Sequence, residues 1–230
     1  MAAWTTDAEL FDLARRNLYV AVVGDVMDEL GYHDQFLPAA IKPVRGNVVM
    51  IGRAMPVLEA DVPFDTYEPV RNVTMAKPFG LMFEALDDLK PGEVYICTGS
   101  SLNYALWGEL MSTRAAFLGA AGAVVDGYSR DTRALLNHSF PVFSQGSYAQ
   151  DQKFRGKVLD YRVPIRIRNV NVASGDIVFG DVDGVCIVPK SIEAEVFKMA
   201  LEKVSGENTV RTALEKGMGT VEAFEKFRVM

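Results

Sequence analysis

Two places in this 230-residue chain bring together side chains that could do chemistry. Arg130 and Asp131 stand side by side just beyond the apolar run Gly122-Ala123-Val124-Val125, in a connection that leads into a short helix. Loops beyond the carboxyl ends of strands are where ligands sit in open α/β sheets. An adjacent arginine and aspartate there can face different ways, the arginine clamping a carboxylate with its two-pronged fork and the aspartate binding a hard cation. Upstream, Gly99-Ser100-Ser101-Leu102-Asn103 forms a small polar loop before a helix expected from about Tyr104 to Ala121, so its backbone N–H groups could receive an anion. Glu109 falls in the early turns of that helix, on the side away from a Leu106/Leu110 stripe. Each residue also has a plain structural alternative. Glu109 could be a solvated helix residue, and Arg130–Asp131 a surface ion pair or a helix cap.

The elements that must position these residues alternate in type. Helical spacing marks Glu9–Arg16, Asp25–Leu30 with Gly31 as its stop, and Phe79–Leu89. Strands are expected over Gly46–Gly52, Glu93–Thr98, Gly122–Val125 and Pro141–Ser144. Strand, helix, strand in that order implies parallel pairing through right-handed crossovers. From Gly156 to Pro189 the texture becomes β-structure without helices, including the alternating Val163–Arg168 and the continuous apolar Val185–Val188. Asp183-Gly184 reads as a hairpin turn rather than part of a calcium loop, since the distal glutamate is missing. The residues after Ser191 are helical, with breaks expected at Ser205-Gly206 and Gly217-Met218-Gly219. The stretch from Glu59 to Lys77 reads as a long loop, and Arg53, Tyr67 and Arg71 are candidates to shape the far side of a pocket. One α/β domain spanning 1–230, with mixed sheets and peripheral helices, is the expected organisation.

Composition narrows the chemistry. A hydrophobic fraction of 49% against 23% charged residues argues for a folded chain, not a disordered one. No apolar run reaches the roughly 20 residues that span a bilayer, so no membrane partner is expected. The net charge of −6 speaks against a nucleic-acid partner. No basic segment followed by an apolar run opens the chain, so a cytoplasmic location is expected. With two histidines and two cysteines in all, a divalent cation would have to be held by oxygen. Cys97 and Cys186 sit in apolar runs and read as buried thiols, and His33 and His138 are isolated. A P-loop, a dinucleotide fingerprint and a G-x-S-x-G elbow are all absent.

Glu109, then twenty residues, then Arg130-Asp131 is a pattern of its own. With Trp107-Gly108-Glu109-Leu110 and Val125-Asp126-Gly127-Tyr128-Ser129-Arg130-Asp131 around it, the chain resembles the RraA-like family. That family includes class II pyruvate aldolases acting on 4-hydroxy-4-methyl-2-oxoglutarate and 4-carboxy-4-hydroxy-2-oxoadipate. The likeness continues through Asp25–Gly31, Gly52-Arg53-Ala54 and Gly175–Pro189, so it covers nearly the whole chain. It implies a swivelling β/β/α fold, and a homotrimer or hexamer with sites between subunits. It implies a cation, Mg²⁺ or Mn²⁺ or another divalent ion, ligated by Asp131, with Glu109 reaching it through water. Arg130 would bind the pyruvyl group, and amides of the stretch Gly99, Ser100, Ser101, Leu102, Asn103, Tyr104, Ala105, Leu106 and Trp107 would contact its carboxylate. Glu207 is the candidate for a glutamate that a neighbouring subunit contributes. The implied activity is cleavage of 4-hydroxy-2-oxo dicarboxylic or tricarboxylic acids to pyruvate and a 2-oxo acid, with oxaloacetate decarboxylation beside it. Two alternatives stay open: a regulator that binds and inhibits RNase E, and a lyase acting on another 2-oxo acid through the same metal site.

Overall fold

The structure, a computed structural model, describes residues 4–62 and 73–228. In chain order the elements are α1 (Asp7–Asn17), α2 (Val20–Glu29), β1 (Lys42–Pro43), β2 (Met50–Asp61), α3 (Val73–Ala76), α4 (Met82–Asp87) and β3 (Glu93–Thr98). There follow β4 (Ala105–Trp107), α5 (Glu109–Phe117), β5 (Gly122–Val125), β6 (Tyr128–Ser129), α6 (Thr132–Asn137), β7 (Val142–Ser144) and β8 (Gly156–Tyr161). The chain ends with β9 (Ile165–Ile167), β10 (Val170–Val172), β11 (Ile177–Asp181), β12 (Gly184–Val188), α7 (Glu193–Glu215) and α8 (Thr220–Phe227). They fall into two compact units, Met1–His33 with Ser191–Met230, and Asp34–Lys190.

The helical unit packs α2 against α7. Val22, Val23, Val26 and Met27 on one helix and Val196, Phe197 and Ala200 on the other recur at three-and-four spacing and are fully buried. Lys203 on α7 holds Asp25 at 3.2 Å and Glu29 at 3.0 Å on α2. α1 begins with a capping box, Thr6 accepting from the Glu9 amide while Glu9 reaches back to Thr6. α7 runs unbroken through Ser205-Gly206, so the break expected there is absent. Neither residue is a strong enough breaker to stop a helix of this length.

The other unit is a mixed-sheet α/β fold. Its sheet runs β1-β7-β5-β3-β2-β11-β12, with β8 also on β2. The central strands β2, β3, β5 and β7 are parallel, and β8, β11 and β12 join antiparallel. The sheet curls. The segment before β1 reaches β12 through Leu37 N–H on Val185 O, and Lys42 donates to Asp183 O. Side-chain alternation on β3 sends Val94 and Ile96 into one apolar layer with Ala54, Phe143 and Ile187, while Tyr95 and Cys97 enter the other with Met55, Ala123 and Trp107. The expected hairpin is present, with Asp181 opposite Gly184 and Val182-Asp183 at its tip. Both cysteines are buried, as expected.

Three sequence expectations are corrected. The helix expected from Tyr104 is instead strand β4 followed by α5 from Glu109, because Leu106 and Trp107 are needed in the core beside β6. Leu110, placed in the apolar stripe by spacing, is 78% exposed. Glu59 to Asp61 belong to β2, not to a loop, being paired with β8. Arg53 lies in β2 and donates to Gly175 O at 3.0 Å, while Tyr67 and Arg71 fall outside the described residues.

Candidate active site

The short parallel pair β4 and β6 builds the site. Their register places Ala105 beside Tyr128 and Trp107 beside Ser129, so the residues that follow each strand emerge together. The Arg130 N–H donates to Trp107 O at 2.8 Å, which pins the Arg130-Asp131 corner against Gly108-Glu109. Asp131 then takes a left-handed backbone, φ 58° and ψ 33°, to turn the chain into α6. Asp tolerates this conformation better than most residues. Although it occupies the N-cap position of α6, its side chain does not cap that helix. Asp131 Oδ2 instead accepts the Glu109 N–H at 3.1 Å, at the positive N-terminus of α5.

Gly108 makes this approach possible. A Cβ at Gly108 would lie 2.6 Å from Asp131 Oδ2, closer than any real contact. The carboxylate occupies the room that a side chain would need. The Glu109 carboxylate accepts Thr113 Oγ1 at 3.0 Å on its own helix. Arg130 Nε is 4.0 Å from Asp131 Oδ2, and its Nη1 is 3.1 Å from Oδ1 of Asp151, on the loop before β8.

Arg130, Asp131 and Asp151 share a cleft of about 230 Å³ with Gln152 and the apolar side chains of Phe79, Met82, Phe83, Leu106, Leu110 and Met111. Ala105, Trp107 and Gly108 complete the lining. The Trp107 ring packs between Tyr95 and Phe140, and its Nε1 donates to Ser112 at 2.8 Å. The loop from Gly99 does not stand at a helix N-terminus, because β4 follows it. The Ser101 N–H is taken by Asp61 Oδ1 at 2.9 Å, and the Ala105 N–H by Gln150 O at 2.8 Å. Gly99 has φ 111°, and a Cβ there would strike Glu59 O at 2.1 Å, so glycine is required. Ser100 Oγ is buried with no partner among the described residues.

Behind Gln152 lies a carboxyl that sequence reasoning missed. Glu59 is 2% exposed, accepts Gln152 Nε2 at 2.8 Å, and is pushed up to about 8 by burial, against the opposing hydrogen bonds of Cys97 and Gln152. Burial and Glu59 together raise Tyr95 and Cys97 well above their ordinary values. Asp151 and Gln152 were equally missed. They sit in a polar run, Tyr148–Lys153, with no spacing rule to mark them. Glu207 belongs to the helical unit, on α7, where the Tyr19 hydroxyl donates to it. Burial, then that bond, lifts Tyr19 to about 12.

The donor set suits a hard cation. Asp131 presents an exposed carboxylate whose Oδ2 accepts the Glu109 amide, and the neighbouring acidic side chain in the cleft, Asp151, also offers oxygen. No group of three or more His, Cys, Asp or Glu able to enclose a metal occurs among the described residues. An ion such as Mg²⁺, which keeps several waters and takes one or two carboxylates, fits that sparse set.

A family model described as RraA-like, Aldolase/RraA, matches residues 20–187. The chain belongs to the RraA-like family. A Halalkalibacterium halodurans protein named "Putative 4-hydroxy-4-methyl-2-oxoglutarate aldolase" is 28% identical over 91% of this chain and 90% of its own. Two solved structures share the fold of this RraA-like chain. An uncharacterised Pseudomonas syringae protein superposes with a TM-score of 0.83 at 24% identity, over 99% of this chain and 98% of its own. Streptomyces coelicolor RraAS2, described as an unusual member of the RNase ES inhibitor RraA family, gives 0.76 at 23%, over 91% and 100%. No helix among the described residues is long and apolar enough to cross a membrane.

Proposed function

We propose that this chain is a divalent-metal-dependent pyruvate aldolase cleaving 4-hydroxy-2-oxo acids of the 4-hydroxy-4-methyl-2-oxoglutarate type to pyruvate and a 2-oxo acid. The observation that carries the reading is the convergence, in one cleft, of the Arg130 fork with an Asp131 carboxylate seated in the Gly108 gap. Arg130 binds the carboxylate and oxo oxygen of the pyruvyl half. Glu109, acting through a water, receives the proton of the C4 hydroxyl. The C3–C4 bond then breaks, its electrons pass into the pyruvate enolate, and the departing half leaves as a 2-oxo acid. Arg130 faces the growing oxyanion as a fixed cation, and C3 is protonated to give pyruvate. Mg²⁺ or Mn²⁺ at Asp131, when bound, supplies Lewis-acid stabilisation of that enolate. Loss of CO₂ from oxaloacetate makes the same enolate, so decarboxylation accompanies cleavage. A homo-oligomer in which Glu207 of a second copy reaches the water shell belongs to this proposal.

Pyruvate release from a panel of 4-hydroxy-2-oxo acids and oxaloacetate, with Mg²⁺ or Mn²⁺ and with EDTA, tests the reading. Metal-dependent release is the expected result. Silence across the whole panel overturns it and moves attention to RNase E binding, which a pulldown with an RNase E scaffold reads directly.

A further inference from the structure

An arginine fork offers a carboxylate two useful edges, Nη1 with Nη2 or Nε with Nη2. In this cleft Nη1 is already committed to Asp151 Oδ1 at 3.1 Å, while Nε faces Asp131 Oδ2 at 4.0 Å. The loop that presents Asp151 is fastened on both sides. Gln150 O accepts the Ala105 N–H at 2.8 Å, tying the loop to β4. Gln152 Nε2 donates to buried Glu59 at 2.8 Å, and Gln152 O accepts the amides of Arg155 and Gly156 at 2.8 and 3.0 Å. The Asp151 carbonyl itself accepts Arg155 Nη1 at 3.2 Å. A side chain held between two such anchors keeps its direction without help from a ligand.

We propose that Asp151 is a positioning residue that occupies Nη1 of Arg130 and so turns the Nε–Nη2 edge toward Asp131, where a planar 2-oxo carboxylate spans both. The inference rests on the reading of Arg130 as the anion clamp given above. It also fixes which part of the substrate is gripped: the coplanar carboxylate and adjacent oxygen, not a carboxylate alone. Charge by itself predicts the reverse of this role. Removing a negative group from beside an arginine should strengthen anion binding, whereas removing a strut should weaken it.

Oxalate, a planar dianion shaped like the pyruvate enolate, separates the two. Its affinity for the full chain in Mg²⁺ is measured by titration calorimetry, with unfolding followed in parallel. Asp151→Ala is expected to weaken oxalate about tenfold, by analogy with the loss of an outer support of a binding group. Asp151→Asn, which keeps the acceptor oxygen in place, should hold oxalate at least as tightly as the native chain. Asp151→Glu, which keeps the charge but moves it, should weaken oxalate, and it carries the test if the alanine variant does not fold. In an Arg130→Lys background, Asp151→Ala should have no further effect. Unchanged or tighter oxalate in the alanine and glutamate variants overturns the role of Asp151 while leaving the site reading intact. If Arg130→Ala leaves oxalate binding unchanged, the site reading itself fails.

Discussion

Asp131 and Asp151 stand at the cleft with side chains 46% and 39% exposed, whereas Glu59, bonded to Gln152 on the same loop as Asp151, is 2% exposed. At the cleft, the two carboxylates meet the Arg130 guanidinium and the Glu109 backbone amide. Behind it, Glu59 meets Cys97, Tyr95 and an amide side chain, and burial holds it protonated to about 8. The two regions use one chemical group for two ends. The open acids face the cleft and its arginine, and the sealed acid supplies a neutral anchor for the loop that carries Asp151. The cleft should therefore answer substitutions through activity, and the interior through stability.

The largest expected effect is at the cleft. Arg130→Ala and Asp131→Ala should each lower metal-dependent pyruvate release by about a thousandfold. Both side chains are partly exposed, so thermal unfolding should move by only a few degrees, on the order of 1 kcal/mol. Turnover assays beside a melting curve check this. A variant that unfolds early and keeps its turnover per folded molecule would remove the distinction between the regions.

Gly108→Ala comes next. The new Cβ meets the Asp131 carboxylate at 2.6 Å, the movable end of a side chain, so the fold can yield by turning that carboxylate away. Yielding there displaces the group that matters. A loss of about 10- to 100-fold in turnover and metal affinity is expected, with little change in melting temperature. Divalent-ion titration against activity measures both.

The twenty-residue gap between Glu109 and Arg130-Asp131 was legible in the sequence as a family pattern, whereas the strands β4 and β6 that lead into those residues were not. The parallel core was equally legible, since β3, β5 and β7 are short apolar runs between turn signals. The error at Leu106-Trp107 has a physical cause: a short apolar run joined to a real helix reads as one longer stripe until tertiary pairing divides it. Asp151 reaches Arg130 from 21 positions away in sequence, through the folding of β7 and β8. Glu59 reads as the start of a loop because Pro63, Pro69 and a lack of periodicity mark the stretch that follows it. Only the pairing of Glu59 with β8 and Gln152 shows otherwise.

The interior makes the third prediction. Glu59 has its folded value raised, from 4.5 to about 8, so its contribution to stability is complete below the unfolded value and lost as pH rises toward 8. Over that window the unfolded chain releases a proton that the folded chain retains. Native protein should therefore lose stability between about pH 4.5 and 8, by an amount on the order of a few kcal/mol. Glu59→Gln keeps a neutral hydrogen-bonding group and should flatten that slope, which chemical denaturation at several pH values measures. A slope unchanged by the substitution would place the titrating group elsewhere.

Asp61, two residues along β2, supplies the smallest and most exacting comparison. It accepts the Ser101 amide at 2.9 Å and the Tyr104 hydroxyl at 2.7 Å. Burial acts to raise it, but those bonds outweigh burial and hold the carboxyl below its ordinary 3.8. Its linkage therefore runs opposite to that of Glu59. The stabilisation is present above the unfolded value and lost as pH falls through the lower folded one. Tyr104→Phe removes one donor and leaves Ser101, so the cost should be roughly 1 kcal/mol at neutral pH. That cost should shrink under acid, once the carboxyl is protonated in both variants. Denaturation of the two proteins at neutral pH and near pH 3 tests the sign. A penalty that instead grows in acid would mean that the Tyr104 hydroxyl is holding the neutral carboxyl, and the contrast between these neighbouring acids would fail.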